Sequence, residues 1–151
     1  DMDDSKTVNI AYHSDDPNVG LALTKNQECF KMYTSDTGLF VTLAFMDSEI
    51  TENVIYEKLL NDKLSTNLGY VYENVIAQML KTSGKNLFYH TIPYAEGKKY
   101  YEIDFLVTDK HKISAVEVKS SGYKTHKSLD IFIFSFNISA SINSTFLKSS
   151  L

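Results

Sequence analysis

Arginine is absent: all 15 basic residues of the 151-residue chain are lysines. Without a guanidinium there is no arginine finger and no bidentate reader of guanine edges. Cysteine occurs once, at Cys29. That excludes an internal disulfide and a multi-cysteine metal knot, and it suits a reducing, cytoplasmic setting. Two prolines and six glycines are too few for a collagen-like repeat, a linker or a disordered tail. No apolar run approaches the roughly 20 residues that a bilayer span requires; the longest, Ile131 to Phe136, has the length of a core element. No charged-then-apolar leader opens the chain. What is present, 43% hydrophobic and 23% charged residues, is enough for one domain with its own core.

Charge is unevenly spread. The net value is −4, yet residues 1–80 carry 5 lysines against 13 acids, while residues 81–128 carry 9 lysines against 5 acids. A basic half on an acidic chain can face phosphate, because lysines attract nucleic acid without reading its sequence. By itself this asymmetry is weak, since a lysine-rich composition forms such clusters by chance.

Periodicity predicts a mixed α/β order. Thr7 to Tyr12 and Cys29 to Thr34 have short strand patterns, separated by a loop with an Asp-Asp-Pro turn signal. Asp36 has the character of a helix N-cap before Leu39 to Met46, and Thr51 opens a second short helix as a capping box. In a third helix, Leu68, Val71, Tyr72, Val75, Ile76 and Met79 form one apolar arc, with Asn74, Gln78 and Lys81 facing away and Gly84 closing it. Alternation then takes over: Leu87 to Thr91, Tyr101 to Thr108 and Ile113 to Lys119 are expected strands, the last two a hairpin turned at Asp109 to Lys112. Ser128 to Phe136 suits a helix with Leu129, Ile131 and Phe132 inward. Both ends of the sequence look cut. We divide it into a lead-in, residues 1–67, and a core, residues 68–151.

The hairpin carries the chemistry. Strand alternation puts Tyr101, Ile103, Phe105 and Val107 on one face and Glu102 and Asp104 on the other. Joining the apolar faces sets Phe105 against Val116, Asp104 against Glu117 and Glu102 against Lys119. Two opposed carboxylates destabilise a bare sheet and call for a shared proton or a cation. Oxygen-only ligands suit Mg²⁺ or Mn²⁺, which keeps waters and accepts a phosphate oxygen. Lys119 can then neutralise an anionic transition state or position the attacking water. Glu73, at the edge of the third helix's arc, is a third carboxylate within reach if that helix packs on the sheet. The histidines, His13, His90, His111 and His126, show no ligand spacing and suit surface or loop positions.

Glu in a helix, Asp in a strand and Glu-x-Lys in the next strand resemble the motif of the PD-(D/E)XK nuclease superfamily. The stretches KMYTSDTGLF, GYVYENVIAQML, YYEIDFLV and AVEVKSSGYKTHKSL are similar to the uncharacterised C-terminal domain of prokaryotic AAA-type ATPases, from about Thr7 to Leu129. The resemblance implies a restriction-endonuclease-like fold: a mixed sheet flanked by helices and preceded by a small β/helical segment. It also implies Glu73, Asp104, Glu117 and Lys119 as the catalytic set, with Glu73, Asp104 and Glu117 holding Mg²⁺ or Mn²⁺. Glu102 matches an acid of undefined role. Ser120, Lys124, Lys127 and Ser128 follow the signature as phosphate contacts. No phosphate loop is present, because no glycine stands five residues ahead of a Gly-Lys-Ser/Thr; the ATPase partner would lie outside this chain. Two functions follow as expectations: metal-dependent hydrolysis of phosphodiester bonds in DNA, or a non-catalytic module that binds nucleic acid or protein and regulates that ATPase.

Overall fold

The computed structural model describes residues 6–44, 46, 57, 68–94, 99–109, 112–118 and 127–136. They form β1 (Val8–Ser14), β2 (Lys25–Thr34), α1 (Thr37–Ala44), α2 (Leu68–Thr82), β3 (Leu87–Pro93), β4 (Tyr100–Asp109), β5 (Lys112–Val116) and α3 (Lys127–Phe136). The strands make one mixed sheet in the order β2-β1-β3-β4-β5. Only β1 and β3 run parallel, Ala11 beside Leu87; the other neighbours are antiparallel. A parallel pair needs a long crossover, and the stretch containing β2, α1 and α2 supplies it.

Alternation along β3 separates two cores. Leu87 joins Ala11, Tyr33, Ala77 and Phe105 on the α2 side. Phe88 joins Leu21, Ile103, Leu106, Ala115, Leu129 and Phe132 on the α3 side. Phe105 and Phe132, both fully buried, anchor the two layers, each contributing on the order of 1.5–3 kcal/mol. Because Ala11 and Tyr33 share a core with Ala77 and Phe105, a boundary at residue 67 divides the sequence but not the sheet. The architecture is α/β, a mixed five-stranded sheet flanked by helices, coarsely like the restriction-endonuclease plan.

Local signals act where expected. Asp36 Oδ1 accepts the N–H groups of Gly38 and Leu39 at 2.7 and 3.2 Å, capping α1. Gly84 has a φ of 79°, the left-handed conformation that ends a helix without a Cβ penalty, and the Gly84 and Lys85 N–H groups close α2 on the carbonyls of Lys81 and Leu80. The expected helix opening at Thr51 lies outside the described residues.

The α2 arc is rotated from its expected setting. Asn74 is 1% exposed, whereas Met79 is 46% exposed; the buried line runs through Val71, Asn74 and Ala77. Asn74 is held there by β2: Thr34 N–H donates to its Oδ1 at 2.8 Å, and its Nδ2 donates to Thr34 O at 3.1 Å. Gln78 also faces inward, its Oε1 accepting the Thr37 hydroxyl at 2.8 Å.

Candidate functional site

The β3–β4 ladder carries one irregularity. Phe88 pairs with Leu106 and His90 with Ile103, so Tyr89 alone faces both Asp104 and Phe105. This is a β-bulge, the device that re-aims side chains within a sheet. It overturns the expected parity: Ile103 packs in the α3-side core and Phe105 in the α2-side core. A strict alternation cannot be carried past the extra residue. The β4–β5 register is as expected, with Phe105 opposite Val116 and Asp109 opposite Lys112, but β5 ends at Val116. Two residues beyond, the Val118 N–H donates to Asp104 Oδ2 at 2.6 Å. The carboxylate takes over where the backbone ladder stops.

Around Asp104 the fold gathers charge from three elements. β2 contributes Lys31, whose Nζ donates to Glu102 Oε1 at 2.5 Å and stands 3.9 Å from Glu73 Oε2. Glu73, on α2, accepts the Tyr33 hydroxyl at 3.2 Å. The rotation of α2 about Asn74 is what turns Glu73 to the sheet, where its side chain is only 19% exposed. Burial, together with the negative charge of Glu73, raises the Tyr33 phenol well above its ordinary range. Asp104 is pushed up to about 7, first by burial and then by the negative charges of Glu73 and Glu102, against the opposing pull of the Val118 N–H and Lys31. Near neutral pH this carboxyl can hold or release a proton.

Of the residues selected from sequence, the structure brings Glu73, Glu102 and Asp104 to one neighbourhood. Glu117 is half-buried with its Oε2 sunk below the surface, between Val116 and Val118, both of which pack against the α2-side core. Glu102 pairs with Lys31, a partner on a distant strand that sequence spacing could not nominate; Lys119 had been expected. Lys119, Ser120 and Lys124 lie outside the described residues. Lys127 and Ser128 open α3, away from Glu73 on the other side of the sheet. Lys127 Nζ sits 5.6 Å from the ring centres of Tyr94 and Tyr101. Among the described residues, no group of three or more His, Cys, Asp or Glu side chains could hold a metal ion. Sequence reasoning missed Lys31 and Tyr33. Their one trace is that they alternate on β2 with exposed neighbours.

Two histidines also depart from the surface positions expected of them. His90, on β3, is buried; its Nδ1–H donates to Ser14 O at 2.7 Å, and its ring meets Phe132 and Phe136 edge-on. His13 on β1 stacks against it, with ring centres 5.4 Å apart. The Thr91 N–H donates to His13 Nε2, which leaves Nδ1–H to donate to Asp15 Oδ1 at 2.8 Å. Burial lowers the His90 pKa from 6.5, so the unfolded chain takes its proton more readily than the native one. The His90 contribution to stability is therefore expected to fall as pH drops through and below about 6.5, opposite in sign to that of Asp104 over the same range. In urea titrations, the stability difference between wild type and His90→Gln should shift against the wild type as pH falls through this range; a difference independent of pH would locate acid sensitivity elsewhere.

Comparison with known families adds one match: a family model described as Domain of unknown function (DUF4143) covers residues 68–146. It runs beyond Leu129, where the sequence resemblance had been expected to stop, and begins at the first residue of α2. No curated protein and no solved structure matches the chain.

Proposed function

The chain belongs to the family described as Domain of unknown function (DUF4143), and from that footing we propose that it is a metal-dependent, nuclease-like domain hydrolysing phosphodiester bonds in DNA. One observation carries the proposal. The β4 bulge, α2 and β2 together place the buried carboxyl of Asp104 beside Glu73, Glu102 and the ammonium of Lys31. Burying like charges together is costly unless a cation relieves them. The donors are all oxygen, which suits Mg²⁺ or Mn²⁺, ions that need one or two protein carboxylates and otherwise keep water and phosphate oxygens. Of the three carboxylates expected as ligands, Asp104 and Glu73 are the residues that would hold it; Glu117 does not complete a three-carboxylate cluster with them. Bound there, it would lower the pKa of a water and polarise a phosphoryl oxygen.

The protein's own groups have separate tasks in this proposal. Asp104 is oriented by the Val118 N–H, and Glu73 by the Tyr33 hydroxyl. Lys119 would orient the attacking water or stabilise developing charge. Ser120 and Lys124 would steer the phosphate backbone, whereas Lys127 and Ser128, on the other side of the sheet, take no part at this site. A second reading, a regulatory module that binds nucleic acid or protein beside an ATPase, is favoured by the acidic balance of residues 1–80 and by the lack of a three-ligand cluster among the described residues.

Cleavage of plasmid and short duplex DNA decides between them. The wild type is expected to cut only with Mg²⁺ or Mn²⁺, and Lys119→Ala and Asp104→Asn each to lose about 100-fold or more in rate while still binding DNA. A wild type that binds DNA but cuts under no divalent ion would end the catalytic proposal and leave the module.

A further inference from the structure

We propose that Lys31 is the side chain of this site that receives a substrate phosphate, and that Glu102 is the residue that positions it. The inference rests on the phosphodiester reading above and adds a residue that neither the sequence motif nor the family match supplies. Lys31 is opposite Ala11 in the β1–β2 ladder, two residues from Tyr33; Ala11 and Tyr33 are both in the α2-side core, so its side chain leaves the sheet on the α2 side. Its Nζ lies 5.2 Å from the Tyr89 ring centre, and Tyr89 is the residue facing the bulge that carries Asp104.

The two ion pairs at Nζ are unequal. Glu102 at 2.5 Å makes a charge-assisted hydrogen bond, whereas Glu73 at 3.9 Å lies beyond hydrogen-bond range and acts through charge alone. Glu102 therefore fixes the ammonium, and an ammonium has three donors, of which one carboxylate oxygen takes one. The Lys31 side chain is 23% exposed, so an incoming anion can reach the head while the stem stays packed. With no arginine in the chain, a permanently charged contact to an anion here has to come from a lysine. The local charge also has the right sign for exchange: Glu73 attracts Lys31 weakly, and a divalent ion held by the carboxylates would leave Lys31 facing the phosphate.

The test is binding of a fluorescent duplex oligonucleotide in Mg²⁺ over a range of salt. Each phosphate contact contributes about 0.9 to the slope of log K against log salt. Lys31→Met is expected to reduce the slope by about one and to weaken binding several-fold. Lys31→Arg should keep the slope, and Lys25→Met, whose ammonium sits over Tyr12, should change neither. Glu102→Gln leaves Lys31 charged but removes the carboxylate that holds its head, so it should weaken binding with the slope retained. Should Lys31→Met unfold by circular dichroism, amine acylation of the wild type decides: saturating oligonucleotide is expected to protect Lys31 and spare Lys25. An unaltered slope in folded Lys31→Met, or undiminished acylation of Lys31 under oligonucleotide, would overturn the assignment. So would a wild type that binds no oligonucleotide. Loss of slope in a domain that binds DNA without cutting it would retain Lys31 as a phosphate contact and remove only the hydrolytic reading.

Discussion

Replacing Asp104 with Asn is expected to stabilise the fold at pH 8 by about 2–4 kcal/mol and to leave it unchanged near pH 3. The native carboxyl titrates at about 7 instead of 3.8, which corresponds to an upper bound of about 4 kcal/mol. A raised carboxyl pKa means the folded state holds the proton more tightly than the unfolded state. Through Asp104 alone, the wild type therefore loses stability as pH rises from about 4 to about 7 and bears the full cost above that. Asn is neutral throughout, and its side-chain oxygen still accepts the Val118 N–H that Asp104 Oδ2 accepts at 2.6 Å. At roughly 2–4 °C per kcal/mol for a chain of this size, the pH 8 melting temperature should rise by about 5–10 °C. Added Mg²⁺ should return part of that stability to the wild type and none to the variant, if Asp104 helps to hold the ion. A drop in the variant's melting temperature at pH 8 would show that the carboxylate charge serves the fold.

The second large effect belongs to Asn74. Its Oδ1 accepts from the Thr34 N–H and hydroxyl at 2.8 and 3.2 Å, and its Nδ2 donates to Thr34 O and Thr37 Oγ1 at 3.1 and 3.0 Å. Asn74→Ala leaves the Thr34 backbone groups without these partners in a buried seam, and it is expected to cost about 2–4 kcal/mol in urea unfolding. Asn74→Asp should do no better, because it offers only acceptors to Thr34 O and buries a charge. Since Asn74 adjoins Glu73 and Thr34 adjoins Tyr33, loosening this seam should also disturb the Tyr33–Glu73 contact. Tyr33 fluorescence would report it. A loss below about 0.5 kcal/mol would mean the seam is set by the neighbouring apolar contacts instead.

The same residue shows why helix wheels misplace polar groups. By polarity Asn74 belongs outside, and the wheel centred on Val75 and Met79 follows from that. A buried amide is nevertheless stable where a strand end presents both a donor and an acceptor, and nothing in the local pattern announces that Thr34 does so. Glu73, legible only as an edge residue on the wheel, reaches the sheet because of this rotation.

Short-range chemistry was enough for much of the rest. The Asp36 cap, the Gly84 stop, the α2 and α3 spans, the hairpin and its Phe105–Val116 register all follow from interactions within a few residues or from period-2 patterning. Asp104 and Glu73 could be selected from the sequence because carboxylates flanked by buried apolar residues are costly and stand out. The tertiary structure decided what no local pattern contains. It set the extra residue opposite Tyr89 that splits Ile103 from Phe105, the rotation of α2 onto Thr34, the burial of His90 beneath Phe132 and Phe136, and the choice of Lys31 as the partner of Glu102. Each depends on groups between 13 and 76 residues apart along the chain, and the free energy that selects them exists only once the sheet has brought those groups within a few ångströms of one another.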